Sequence, residues 1–202
     1  MASSHPTKEA LIDAVLELLQ SEHLVEVTSE EVLEKSGISK GSLYHHFEDF
    51  SDLLEQAQVK RFANYVDETS AMIIQALQIQ DRNKFVEAMR GVTRATQGEE
   101  MKQQRLYRVK AMAAAGQNDR MRTHYAIEQE RLTSALADLF REVIARGWGN
   151  PRLDPLTLAV FLQAYTMGQV VNDYVETKME PANWLWLIDS IVENVMLNPE
   201  LA

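Results

Sequence analysis

Residues 28–47 read "TSEEVLEKSGISKGSLYHHF", and the spacing within this run decides the fold. Thr28 followed three residues later by Glu31 is the capping-box pattern, in which hydroxyl and carboxylate satisfy the first backbone N–H groups of a helix. Gly37 suits the left-handed residue that closes such a helix. Ser39 then caps a second short helix, with Leu43 and Phe47 on its inner side. Two helices joined by a turn of about three residues form a helix-turn-helix. Val32, Leu33, Ile38, Leu43 and Phe47 pin the pair, leaving Lys40, Gly41, Ser42, Tyr44, His45 and His46 on the outer face of the second helix. Gly41 lets the helix N-terminus approach a duplex closely, and the free N–H groups there suit phosphate. Lys40 can meet guanine O6 and N7 or a phosphate, and Tyr44 can bond phosphate or pack on a thymine methyl.

Extended to Leu54, "TSEEVLEKSGISKGSLYHHFEDFSDLL" resembles the DNA-binding domain of the TetR (tetracycline-repressor-like) transcriptional regulators. The likeness spans about residues 8–60, and the run S-K-G-S-L-Y-H-H-F is its most specific part. The resemblance implies a homodimer with one helix-turn-helix per subunit, a small-molecule cavity in the C-terminal part, and release from an operator when the ligand binds. By position it assigns double-stranded DNA contacts to Ser29, Lys40, Gly41, Ser42, Tyr44, His45 and His46. Three residues depart from the family's habit: Glu30 and Phe50 stand where cationic or neutral DNA-facing residues are common, and Leu33 replaces a small one.

The charge distribution opposes generic polyanion binding. Residues 1–60 hold four cations (Lys8, Lys35, Lys40, Lys60) against twelve carboxylates, a net of 4 − 12 = −8, out of −10 for the whole chain. Glu9, Asp13 and Glu17 recur at helical steps, so the acidic side of this segment is expected to face solvent, away from phosphate. DNA affinity then rests on few cations, on helix N-termini and on doubling across a dimer, which implies a shallow salt dependence. Protonation of the histidines near pH 6 is expected to strengthen binding.

The rest of the chain shows helical period almost throughout, so the fold class is all-α, with about nine helices. A stripe of Ala10, Leu11, Ala14, Val15, Leu18 and Leu19 marks the first. A fourth runs from Glu48 or Asp49 to about Ile79, and others are expected near 82–96, 100–115, 118–146, 154–178 and 182–197. The breaks, among them "AAGQND" and "KMEPAN", hold Gly, Pro, Asn or Asp. Residues 1–54 read as the helix-turn-helix domain and 55–202 as an effector-binding and dimerisation domain, with their boundary inside the fourth helix.

The helices that enclose the effector in the resembling family suggest a pocket lined by Phe62, Val66, Met89, Tyr107, Met112, Tyr125 and Tyr165. Of the basic residues between Arg82 and Arg131, Arg94, Arg105 and Arg108 are candidates to meet an anionic effector or the acidic N-terminal part; the plainer reading is charged faces of surface helices. The two last apolar helices, 154–178 and 182–197, are expected to form a homodimer interface. Ala164 and Gly168 would allow close approach, and Trp184, Leu187, Ile188, Ile191, Val195 and Met196 would supply apolar surface. Burial inside the monomer is the alternative.

Other chemistry is excluded or poorly supported. With no cysteine, disulfides, thiolate metal sites and cysteine nucleophiles are out. Neighbouring histidines on a helix point about 100° apart, so His45 and His46 do not grip one ion, and His124 with Glu128 reads as a surface pair. His5 and His23 carry no signal, and no metal or cofactor is expected. There is no glycine-rich phosphate loop and no G-x-S-x-G, so an enzyme is not indicated. The N-terminus lacks a signal-peptide pattern and no apolar run could span a membrane, which suggests a cytoplasmic protein. The competing reading is a helical sensing or interaction module with a weakened helix-turn-helix.

Overall fold

A computed structural model describes residues 5–21 and 27–201. His23, given no role from the sequence, lies outside the described residues. The fold is all-α: nine helices longer than one turn, a one-turn helix, and no strand among the described residues. They are α1 (Pro6–Ser21), α2 (Ser29–Ser36), α3 (Lys40–His46), α4 (Phe50–Leu77), α5 (Arg82–Gln97), α6 (Lys102–Gln117), α7 (Asp119–Ala145), α8 (Pro155–Gly168), the one-turn α9 (Val170–Asp173) and α10 (Pro181–Ile191).

Two apolar clusters share α4. The first joins Leu11, Val15, Val32, Leu43, Phe47, Leu53 and Ala57, tying α1–α3 to the start of α4. The second begins at Phe62 and Val66 and takes in α5–α8 and α10. The long α4 packs along α7 and α1, so a shift in either cluster is carried to the other through a continuous helix.

Three helix ends differ from expectation. Gly116 lies inside α6, because Arg122 reaches back to donate to the carbonyls of Ala115 and Gly116; the break falls at Asn118, whose side chain caps α7. The helix expected over 154–178 stops at Gly168 and Asp173. There the Lys178 ammonium donates to the carbonyls of Asn172 and Asp173, 2.6 and 2.7 Å away, and the Asn172 side chain accepts from Met179 N. A lysine satisfying terminal carbonyls closes a helix. The last helix ends as a π-turn over Val192–Met196, closed by the bond from Leu197 N to Val192 O. No helix among the described residues is long and apolar enough to cross a membrane.

Candidate DNA-reading helix and effector cavity

The helix-turn-helix is built by its caps. Thr28 Oγ1 accepts from Glu31 N while Thr28 N donates to Glu31 Oε2 at 2.8 Å, completing the capping box. Gly37 closes α2 at φ 67°, a backbone state where a Cβ is strained. Ser39 Oγ accepts from Ser42 N and starts α3. Val32, Leu43 and Phe47 are buried to 2% exposure or less, which fixes the face α3 turns outward.

On that face Lys40, Gly41, Tyr44 and His45 are exposed, and Ser42 and His46 are half-buried. A Cβ on Gly41 would meet only Ser39 Oγ at 4.0 Å, so nothing within the protein demands glycine there. Ser29 is half-buried and its hydroxyl donates to Glu30 Oε2 at 3.1 Å, so a phosphate contact there exchanges one acceptor for another. The His46 ring lies 4.7 Å from that of His5 and 5.1 Å from that of His45. Its pKa is lowered from 6.5, first by partial desolvation and then by repulsion from His5, His45 and Lys8.

The acidic residues around this helix are largely engaged. Glu17 pairs with Lys35 at 2.8 Å and Glu9 with Lys60 at 3.8 Å. Glu48, Asp49, Asp52 and Glu55, at the corner of α3 and α4, converge on Arg120 in the first turn of α7. Arg120 donates from Nε and Nη2 to the two oxygens of Glu55 at 2.8 and 3.0 Å and from Nη1 to Glu48 at 2.7 Å; Asp52 and Asp49 stand 3.7 and 3.8 Å away. The bond to Glu55 above all raises the Arg120 pKa. Among the described residues Lys40 enters no ion pair. Lys40 is thus available, while one guanidinium from α7 gathers four carboxylates behind it and offsets one of their four charges.

A second feature lies beneath. Helices α4–α8, the end of α10 and Leu16 of α1 enclose a cavity of about 520 Å³, within the usual size of a small-molecule site. Of the seven residues expected to line it, Met89 and Tyr165 do and the other five do not. Phe62 stacks on Tyr125 with centroids 4.6 Å apart, and with Val66 they form core behind the wall. Tyr107 carries the Arg61 guanidinium over its ring and donates to Leu19 O, bracing α6 against α1. Met112 lies on the outer side of α6, 39% exposed. The face of α4 that meets the cavity includes Arg61, Tyr65, Thr69 and Met72, beside the apolar stripe of Phe62 and Val66, and Ile73 belongs to both.

Of the arginines singled out from the sequence, Arg108 lines the cavity. Arg105 is buried and binds the carbonyls of Thr96 and Gly98, and Arg94 stands 3.8 Å from Asp189. Burial raises the phenol pKa of both Tyr125 and Tyr165.

Residues 11–57 match the family model described as bacterial regulatory proteins, tetR family. Solved structures of like fold cover the chain almost end to end. One, from Mesorhizobium loti and assigned to the TetR family, is 19% identical over 96% of each chain with a TM-score of 0.69. The tetR-family sequence is thus carried by residues 11–57, and the whole chain shares the fold of these structures. The reduced form of E. coli NemR superposes on this chain with a TM-score of 0.66 at 18% identity, covering 96% and 98% of the two chains. A transcriptional regulator from Saccharomonospora viridis in complex with choline gives 0.69 at 14% identity, covering 95% and 97%. In sequence the chain is also similar to the nucleoid occlusion factor SlmA of Shewanella denitrificans, 22% identical over 173 residues, 82% of this chain and 81% of that protein.

Proposed function

We propose that the chain is a transcriptional regulator of the TetR family, a homodimeric repressor released from its operator when a small molecule fills the 520 Å³ cavity. Residues 1–54 act as the DNA-binding domain and 55–202 as the effector-binding and dimerisation domain. The observation that carries the reading is who shares the cavity wall: Leu16 of α1 and the Arg61–Ile73 face of α4 belong to the helices that hold the helix-turn-helix. A ligand pushing on that wall moves the base of α3 directly. Coupling free energies of about 1–3 kcal/mol between such sites change operator affinity roughly 5- to 150-fold.

Lys40, Gly41, Ser42, Tyr44, His45 and His46 are assigned to the DNA, Lys40 and Tyr44 first because they are exposed and uncommitted. Ser29 contributes only if it releases Glu30. The dimer forms through α8 and α10. Outward on α8 lie Leu156, Val160, Phe161, Ala164 and Gly168, and outward on α10 lie Trp186 and Leu187. Trp184, Ile188, Ile191 and Met196, expected at the interface, pack instead on the monomer's own core, so the two readings of this helix divide between its faces.

The test is anisotropy of labelled DNA from the chain's own upstream intergenic region, titrated with the full chain in the presence of a metabolite library. Saturable binding that a library member weakens supports the reading. Saturable binding that no ligand of the cavity alters leaves a constitutive DNA binder, and no saturable binding favours a sensing or interaction module.

A further inference from the structure

The cavity's polar groups divide sharply. Gln163 is fully engaged, taking a hydrogen bond from Gln129 and donating to Thr133 Oγ1 and Ala159 O. Thr93, Thr96 and Thr166 each donate to a carbonyl of their own helix. Against these, Arg108 Nε and Nη2, Arg61 Nη1 and Thr69 Oγ1 are buried with no hydrogen-bond partner. The idle groups lie together. Arg61, Tyr65 and Thr69 follow one another at helical turns on α4, and Arg108 Nη1 donates to Tyr65 Oη at 3.0 Å. Three of the four are N–H donors of guanidinium groups, which have no acceptor to offer.

Arg108 is 5% exposed, cannot be neutralised by losing its proton, and has no carboxylate partner among the described residues. Its guanidinium stacks on the ring of Tyr65 at 4.5 Å and lies 5.8 Å from that of Phe62. Such cation–π contacts offset only part of the cost of burying a charge. The two carboxylates in the wall, Glu68 and Glu100, are exposed and screened by solvent. The rest of the chamber is mainly aliphatic, aromatic and thioether: Met72, Phe85, Met89, Leu132 and Leu136 among others.

From this geometry we propose that the effector is an amphipathic carboxylate, its head group held by Arg108 with Arg61 and Thr69 and its apolar body filling the chamber. This rests on the cavity being the effector site. The carboxylate accepts from the idle donors and supplies the missing counter-charge; an ammonium or hydroxyl head supplies neither. Because Arg61 also stacks on Tyr107, which holds Leu19 of α1, drawing Arg61 toward a head group pulls on the brace between α6 and the DNA-binding bundle.

The experiment is calorimetric titration of the lipid-stripped full chain with three matched sets: octanoate, 1-octanol and octyltrimethylammonium; the decyl equivalents; and 3-phenylpropionate with its alcohol. At least one carboxylate binds tenfold or more tightly than its alcohol, and the ammonium compounds bind more weakly than either. Arg108→Met removes the carboxylate preference while leaving alcohol binding within threefold. If that variant does not fold, Arg61→Met and Thr69→Val each cut the preference severalfold. The proposal is overturned if no carboxylate outbinds its alcohol, or if the preference survives in all three variants. Operator anisotropy run alongside separates the two readings. A carboxylate bound through Arg108 that leaves operator affinity unchanged removes effector release and keeps the anion site. Release by the alcohol or ammonium compounds equally well keeps effector release and removes the anion site.

Discussion

Truncating Trp186 tests the proposed dimer face. The side chain keeps 71% of its surface exposed in the single chain. Of the roughly 250 Å² that a tryptophan can bury, about 180 Å² is therefore left for a partner. At about 25 cal/mol per Å² its burial is worth about 4 kcal/mol at most, while aromatic anchors at interfaces cost about 2 kcal/mol or more on truncation. A two-fold interface contains the residue twice, so Trp186→Ala weakens the dimer by about 4 kcal/mol, on the order of a thousandfold in Kd. Sedimentation equilibrium over a concentration series measures this, with Met112→Ala as a control, since Met112 is 39% exposed on another helix. The same variant loses operator affinity, because two linked reading helices gain roughly 10²- to 10⁴-fold over one. A dimer constant for Trp186→Ala within threefold of the parent would refute the placement of this interface.

Further outcomes follow from the caps, the clamp and the histidines. Gly37→Ala forces a side chain into φ 67° and costs about 1–2 kcal/mol in chemical denaturation, whereas Gly37→Asn costs less. Arg120→Met leaves Glu48, Asp49, Asp52 and Glu55 facing one another without their cation; melting falls by a few degrees and operator release by effector is blunted, as seen by calorimetry and anisotropy. His46 is held neutral, with its pKa below 6.5, so its contribution to stability is complete above that value and declines as the pH falls through the lowered one. His46→Gln flattens that decline in melting experiments between pH 7 and 5. DNA phosphate favours the protonated rings, so operator affinity of the parent rises over the same interval, and equal affinity at pH 6 and pH 8 would count against the histidines as contacts.

The helix-turn-helix was legible because its determinants are local. Thr28, Gly37 and Ser39 each act on a partner within four residues (Glu31, Leu33 and Ser42), and the inward residues Val32, Leu43 and Phe47 follow from helical period alone. The cavity was less so. Aromatic and Met positions were a natural choice of lining, yet Phe62 and Tyr125 found each other in the core, and the adjoining face of α4 carries Arg61, Tyr65 and Thr69 into the chamber. Which of two neighbouring stripes faces a cavity depends on the rotation of a 28-residue helix against its neighbours, and only tertiary packing sets that. Arg120 was missed for a similar reason. Within Arg82–Arg131, Arg94, Arg105 and Arg108 were the candidates to meet an anionic effector or the acidic N-terminal part, but they found partners or a cavity elsewhere, and Arg120 makes that contact instead. The break at Asp173 depends on Lys178 folding back on two carbonyls, which no helical period encodes.

On the proposed function, an acidic bundle presents α3 to DNA because Glu9, Glu17 and the carboxylates around Arg120 are held in ion pairs while Lys40 and Tyr44 are free. Operator anisotropy across a salt series tests it most directly, comparing the parent with Lys40→Ala/Tyr44→Ala. The parent should bind its upstream DNA saturably with a log–log salt slope of roughly −2 to −4, the mark of few neutralised phosphates, and the double variant should bind at least tenfold more weakly with a shallower slope. Equal affinity and slope for the two proteins, or no saturable binding by either, would contradict it.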